Sequence, residues 1–206
     1  MAQSYFITGT DTEVGKTYIA CQLIKHYVAQ GYKVIGMKPV AAGCELINGQ
    51  WINEDVKLLT EASNVNAPVD LINPYCFREP IAPHIAADHE GVEISLDVIE
   101  SAYRQLSKIA DIVIVEGAGG LLVPLNETQT LADLIKQLNI PIILVVGLKL
   151  GCINHTLLTL EVITARQLSI AKWVANPIPP VMSATAENIA TLQKKLSKIQ
   201  QLLLPD

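Results

Sequence analysis

The run Gly9-Thr10-Asp11-Thr12-Glu13-Val14-Gly15-Lys16-Thr17 constrains the fold more than any other stretch of the chain. It follows a β-rich segment, Tyr5-Phe6-Ile7-Thr8. It precedes a helical pattern that sets Ile19, Leu23, Ile24 and Tyr27 on one face and ends near Gly31. A glycine-bracketed loop between strand and helix lets successive backbone N–H groups, with the helix N-terminus, surround phosphate oxygens. In such a P-loop Lys16 reaches the β- and γ-phosphates and the Thr17 hydroxyl ligates Mg²⁺. The usual spacing is GxxxxGK[ST]. Here Thr10 stands where the first glycine belongs and Gly9 lies one residue earlier, so the loop is a variant. The competing reading is a glycine-containing turn with a solvated lysine. It does not account for spacing, context and the Gly15-Lys16-Thr17 triplet together.

The rest of the chain alternates strands with helices, the pattern of βαβ units on a parallel sheet. Further strands are expected at Lys33–Met37, Asp111–Glu116, Pro141–Val146 and Ile170–Asn176. Their continuous apolar runs suit strands covered on both faces. Helices are expected at Glu54–Ala62, Leu96–Lys108, Thr130–Gln137, His155–Arg166 and Ala186–Leu203, with a long loop from Ala41 to Asn53. The expected architecture is a single-domain α/β P-loop fold spanning residues 1–206, with a mostly parallel sheet and helices on both faces.

Composition excludes several classes. Half of the 206 residues are hydrophobic and 17% are charged, the reverse of a disordered chain. A net charge of −5 argues against a nucleic-acid footprint. Cys21, Cys44, Cys76 and Cys152 show no metal or CxxC spacing and are expected to be free thiols in a reducing compartment. The start of the chain lacks the basic and apolar regions of a signal peptide. The most apolar stretch, Ile140–Leu148, is too short to span a bilayer. The expectation is a soluble cytoplasmic protein with no membrane partner.

Other residues are candidates by position. Glu116 ends a buried strand and is followed by Gly117-Ala118-Gly119-Gly120. An acid at a strand's carboxyl end can hold Mg²⁺ as a Walker-B acid does, and glycines allow close backbone approach. A helix-capping glutamate with a glycine turn reads the same way. Lys38-Pro39 closes the second strand at the same edge, beside the strand that feeds the P-loop. A lysine there can stabilise a developing anion or simply be solvated. Asp55 reads locally as a helix-terminus charge. His84 has no visible carboxylate or serine partner and reads as a packing residue. The C-terminal helix carries Ile189, Leu192, Leu196, Ile199 and Leu203 on one stripe, which suits a helix covering the sheet better than one lying on a membrane.

Five motifs occur in order: the P-loop, Lys38-Pro39-Val40-Ala41, Val115-Glu116-Gly117-Ala118-Gly119-Gly120, the run Val146 to His155 (VGLKLGCINH), and Trp173-Val174-Ala175-Asn176. Together they closely resemble the dethiobiotin synthetase family from about residue 4 to residue 180. The resemblance implies a ligase that converts ATP, CO₂ (or bicarbonate) and 7,8-diaminononanoate into dethiobiotin, ADP and phosphate. It implies that Lys16 and Lys38 are catalytic, Lys38 also binding the carbamate. It implies that Thr17, Asp55 and Glu116 hold Mg²⁺. Glu13, Val14, Gly15, Lys16 and Thr17 are then expected at the nucleotide, with Glu116, Gly117, Ala118, Gly119, Asn176 and Pro177. Thr12, Ala42, Pro80 and Gly119 are expected along the substrate. Cys152, Ile153 and Asn154 of a partner subunit are expected to receive its carboxylate in a homodimer.

The chain departs from that pattern in three places. Ala42 replaces a serine beside the substrate. Asn188 stands where relatives carry tyrosine. The end, Gln201-Leu202-Leu203-Leu204-Pro205-Asp206, is expected to lack or reduce a Gly-x-x-Pro loop at the adenine. Rival classes are weighed by the same residues. A non-catalytic regulatory module does not need Lys38. ATPases that position plasmids or division sites carry an extra lysine where this chain has Asp11. An amidoligase of corrinoid synthesis needs a further glutamine-hydrolysing domain.

Overall fold

The computed structural model describes residues 3–47 and 49–203. Met1, Ala2, Asn48 of the expected long loop, and the tail residues Leu204, Pro205 and Asp206 lie outside the described residues. In chain order the elements are β1 (Gln3–Gly9), α1 (Lys16–Ala29), β2 (Val34–Met37), β3 (Val40–Ala42), β4 (Glu45–Ile47), β5 (Gln50–Ile52), α2 (Glu54–Ala62), α3 (Val69–Ile72) and β6 (Tyr75–Phe77). They continue with α4 (Pro83–His89), α5 (Leu96–Ile109), β7 (Ile112–Gly120), α6 (Leu131–Leu138), β8 (Ile142–Leu148), α7 (Cys152–Ala165), β9 (Ile170–Pro177), α8 (Thr185–Lys195) and β10 (Gln200–Gln201).

The main sheet has six parallel strands in the order β10-β9-β8-β1-β7-β2. Side chains alternate across β1. Phe6 belongs to the core cluster that includes α5 and α6 residues such as Leu106 and Leu134, while Tyr5 and Ile7 belong to the one that includes α1 residues Ile19, Leu23 and Ile24. Helices therefore cover both faces, as the uninterrupted apolar strands require. Lys38 does follow β2, but β2 pairs with β7 and not with the P-loop strand β1, so β7 lies between them. The chain crosses over β7's place in the sheet, and this puts Glu116 of β7 next to Lys38.

The edge strand β2 is protected by side chains from the end of α2. Val34 N–H donates to Asn64 Oδ1 at 2.7 Å and Gly36 N–H donates to Ser63 Oγ at 2.9 Å. Capping the edge blocks further strand pairing and anchors α2 against the sheet. Gly36 is needed for that approach, since a Cβ there would sit 2.9 Å from Leu59 Cβ and 3.0 Å from Ile24 Cδ1.

Three expectations are corrected. The segment Ala41–Asn53 is not a long loop. It holds β3, which pairs in parallel with β6, and the exposed hairpin β4–β5. The helix expected at Ala186–Leu203 ends at Lys195. Leu192 and Leu196 are buried as the stripe required, but Gln200 and Gln201 form β10 on the open edge of β9 and Leu203 is exposed. Strand pairing there satisfies backbone groups that a continued helix would leave open on β9. Cys44 and Cys76 are not free thiols but form a disulfide, with Cα atoms 6.1 Å apart; Cys21 and Cys152 are free. The two cysteines are 32 residues apart in sequence. Pairing of Ala41 with Cys76 across β3 and β6 brings them together.

No helix among the described residues is long and apolar enough to cross a membrane. Gly36→Ala should overpack the β2–α2 contact and cost about 1–3 kcal/mol. Urea unfolding should show a lower midpoint with an unchanged slope; an unchanged midpoint would mean the contact can open freely.

Candidate active site

The carboxyl ends of β1, β2 and β7 meet around a cavity of ≈ 820 Å³. Its floor is the P-loop. Glu13 (φ 57°) and Gly15 (φ 85°) are both in the left-handed region, which turns successive N–H groups inward. α1 then starts at Lys16 with no side-chain cap and no acid in its first turn, leaving its N-terminal donors open to an anion. Glycine is required at 15, because a Cβ would lie 2.1 Å from Asn176 Nδ2.

Lys38, Asp55, Glu116 and Thr17 converge at one wall. Lys38 Nζ donates to Glu116 Oε1 at 2.6 Å and to Asp55 Oδ2 at 2.7 Å. Thr17 Oγ1 lies 2.8 Å from both Asp55 Oδ1 and Glu116 Oε1. One hydroxyl has one proton, so it can donate to only one of these oxygens at a time. Glu116 is fully buried, and its Oε2 has no partner among the described residues. A wholly buried carboxylate with one oxygen unmatched is expensive unless a cation or donor completes it.

Local structure places each group. Asn53 caps α2, its Oδ1 accepting from Asp55 N–H at 3.0 Å, while its amide donates to Ala42 O at 3.1 Å. Asp55 is thereby held in the first turn of α2, facing Lys38. Asn73 donates to the carbonyls of Lys38 (2.6 Å) and Tyr75 (2.9 Å), pinning the chain where it leaves β2.

The charges perturb one another. Burial works against the Lys38 ammonium, but the Glu116 and Asp55 carboxylates outweigh it and hold its pKa above the usual lysine value. Burial likewise opposes ionised Asp55, and Lys38 with Thr17 overcomes that and holds the carboxyl below its usual range. Lys16 differs. Burial, helped by the nearby Lys38 ammonium, lowers it to about 8, against the pull of Glu116, Asp55 and Asp11.

Of the expected nucleotide residues, Glu13, Gly15, Lys16 and Thr17 line the cavity, with Asp55, Glu116, Ala118 and Gly119. Thr12, Ala42 and Pro80, expected along the substrate, also line it, as does Lys38. Seven expected residues, Val14, Gly117, Asn176, Pro177, Cys152, Ile153 and Asn154, do not line this cavity in the single chain. Val14 is buried in the loop, and its carbonyl accepts from Asn176 Nδ2 at 2.8 Å. Gly117 packs against Phe6, and Pro177 ends β9 behind Asn176. The three tail-carboxylate candidates, Cys152, Ile153 and Asn154, form the first turn of α7, away from the cavity; α7 also starts without a side-chain cap. Asn188 lies on α8, where its amide donates to Ala184 O.

Sequence reasoning missed Asn53 and Asn73, whose only signal was an asparagine ahead of a helix and one after a short apolar run. It also assigned no role to Lys149 and His155 of the fourth motif. Lys149 Nζ donates to Asp11 Oδ2 at 2.7 Å, His155 Nδ1 is 3.9 Å from the same oxygen, and Asp11 Oδ1 accepts from Thr12 N–H at 2.8 Å. The place of the extra lysine of positioning ATPases is thus taken by an acid that ties the P-loop to the β8–α7 turn. His84 is only half-buried, and its Nδ1 has no partner among the described residues.

A family described as an AAA domain matches residues 3–202. The chain is 53% identical over 196 residues to the ATP-dependent dethiobiotin synthetase BioD of Nitrosospira multiformis, covering 95% of this chain and 85% of that protein. The chain belongs to the dethiobiotin synthetase family. A second member, from Aromatoleum aromaticum, is 50% identical over 194 residues, covering 94% of this chain and 86% of that protein. Among solved structures, a ParA family ATPase from Chlorobium tepidum TLS superposes with TM-score 0.57 at 12% identity, covering 100% of this chain and 86% of that one. Apo McdA from Cyanthece gives 0.56 at 14%, covering 98% and 85%. These likenesses show the fold that dethiobiotin synthetases share with such ATPases.

The lowered pKa of Lys16 makes nucleotide binding depend on pH. With its pKa lowered to about 8 in the free site, a bound triphosphate should restore the proton. Above that pH, binding must take up a proton, so affinity should fall by up to about tenfold per pH unit. Calorimetry in buffers of different ionisation enthalpy should register proton uptake; pH-independent binding without uptake would contradict the assignment.

Proposed function

We propose that this chain is an ATP-dependent cyclo-ligase that converts 7,8-diaminononanoate and CO₂ to dethiobiotin, with release of ADP and phosphate. The observation that carries the reading is the pairing of a buried lysine, Lys38, with a phosphate-loop lysine, Lys16, over one cavity, in a chain with more than 50% identity to a named dethiobiotin synthetase.

The chemistry needs two anions held close together. One substrate amine attacks CO₂, forming an N–C bond and losing a proton to give a carbamate. A carbamate oxygen then attacks the γ-phosphorus of ATP, and the bond to ADP breaks. The second amine attacks the carbonyl of this mixed anhydride; a C–N bond forms, the C–O bond to phosphate breaks, the attacking nitrogen loses a proton, and the cyclic urea closes. The protein's part is to orient the groups and neutralise charge. Lys16 and the open start of α1 hold the phosphates. Lys38 meets the carbamate and its phosphorylated form. Its two carboxylate partners keep it protonated and aimed across the wall. Thr12, Ala42, Pro80 and Gly119 border the diamine.

Thr17, Asp55 and Glu116 are the residues that would hold Mg²⁺. Their hard oxygen donors, and the unmatched Glu116 Oε2, suit that ion. Bound there, Mg²⁺ supplies charge neutralisation on the phosphates. Val14, Gly117, Ala118, Asn176 and Pro177 complete the nucleotide side. In a homodimer, Cys152, Ile153 and Asn154 at the uncapped start of α7 receive the carboxylate of the partner's substrate. A cytoplasmic enzyme supplied with bicarbonate fits this reading.

The test is phosphate release with ATP, Mg²⁺ and bicarbonate, with and without 7,8-diaminononanoate, and product identification by mass. Diamine-dependent release and a product carrying one added carbonyl are expected. Lys38→Met should lose at least about 100-fold in kcat while nucleotide binding persists. Diamine-independent hydrolysis in the wild type would overturn the ligase reading.

A further inference from the structure

We propose that Cys44 and Cys76 are a thiol–disulfide exchange site whose oxidation state sets how tightly the cavity holds its diamine; this rests on the ligase reading above. The substrate side of the cavity has two walls. One is the end of β3, Ala41 and Ala42. The other is the segment after β6, Pro80 to Pro83. Three residue pairs join β3 to β6. A two-stranded ladder this short has little stability of its own. Beyond it the walls are joined by the Cys44–Cys76 bond and two backbone hydrogen bonds, Gly43 N–H to Glu79 O (3.2 Å) and Cys44 N–H to Phe77 O (2.9 Å). Gly43 also lies against Pro80, 3.1 Å from any Cβ it might carry. The bridge is therefore the covalent tie between the surfaces that border the diamine.

The phosphate loop does not depend on it. Lys16 and Thr17 ride on β1 and α1, which belong to the six-stranded sheet. Asp55 lies within the loop closed by the bridge, and Asn53, which caps its helix, donates to Ala42 O on that wall; the far end of the helix is anchored separately to β2 through Ser63 and Asn64. Breaking the bridge should thus loosen one wall and leave the phosphate loop in place.

Access and chemistry agree. Cys44 is buried and Cys76 half-buried, so attack at Cys76 is the less hindered route. A dithiol reductant attacks it through one thiolate, forming a mixed disulfide and expelling Cys44 as a thiolate that takes a proton. The reductant's second thiol then closes its own disulfide and releases Cys76. Two electrons and two protons pass to the protein, and a disulfide oxidant reverses the exchange. The other cysteines are poor competitors: Cys152 is buried, and burial pushes the Cys21 thiol up to about 11.

The experiment compares the full-length protein treated with oxidised glutathione with the same protein treated with dithiothreitol. Alkylation in denaturant should label two thiols in the first and all four in the second. On reduction, KM for 7,8-diaminononanoate should rise about three- to tenfold, the scale of losing a preorganised wall. KM for ATP should stay within about twofold, and reoxidation should restore the lower diamine KM. The double variant C44S/C76S should show the raised KM in both treatments, whereas Cys21→Ser should still respond. Equal diamine KM in both states, a parallel shift for ATP, or four free thiols after oxidation would each overturn the inference. No dethiobiotin in either state would sink the ligase reading itself.

Discussion

A fully buried carboxylate, Glu116, bonded to a nearly buried ammonium, Lys38, is the interaction on which the site's arrangement turns. Neither charge is tolerable alone in that interior, and removing one partner of such a pair costs about 3–5 kcal/mol. The pair therefore dictates where β2 must end relative to β7, and hence the strand order at this edge of the sheet. Asp55 joins the pair from α2, and so α2 must sit with its N-terminus at the cavity and its C-terminus capping the edge of β2. The same charges suit catalysis because they are already desolvated and oriented before any substrate arrives.

The P-loop is shaped from the other side. Asn176 on β9 holds the Val14 carbonyl, and its amide fills the space that only a glycine at 15 leaves open. Lys149 and Asp11 join the loop to the start of α7. That ion pair is about two-fifths exposed, so its worth lies in orientation more than in stability. The strands on both flanks of β1 thus contribute to one site: β7 and β2 present the charges at the cavity wall beside the loop, and β9 and the turn after β8 present the groups that set its backbone. The likeness to the ATPases of the same fold is one of architecture.

Much of this was legible along the chain. The strands β1, β2, β7, β8 and β9 were readable because buried parallel strands are continuous apolar runs, and α2 because its apolar spacing is local, although the role of its cap Asn53 was not. Glu116 and Lys38 were readable as strand-end charges, and Asp55 only through family resemblance, because a lone acid in a first helical turn looks the same whether or not a lysine faces it. The hairpin β4–β5 and strands β3 and β6 escaped because three-residue strands carry too few side chains to show a period.

By itself the sequence determined the class of fold, the phosphate loop and the chemistry available at the sheet's carboxyl edge. These follow from contiguous motifs and from periodicities that depend on near neighbours. Tertiary structure alone decided what depends on residues distant in the chain: that β7 separates β2 from β1, that Cys44 meets Cys76, that Lys149 answers Asp11, and that the last residues before 203 leave the helix to pair with β9. Those contacts are chosen by burial and by the pairing of charges and backbone groups across the fold, which no local pattern encodes.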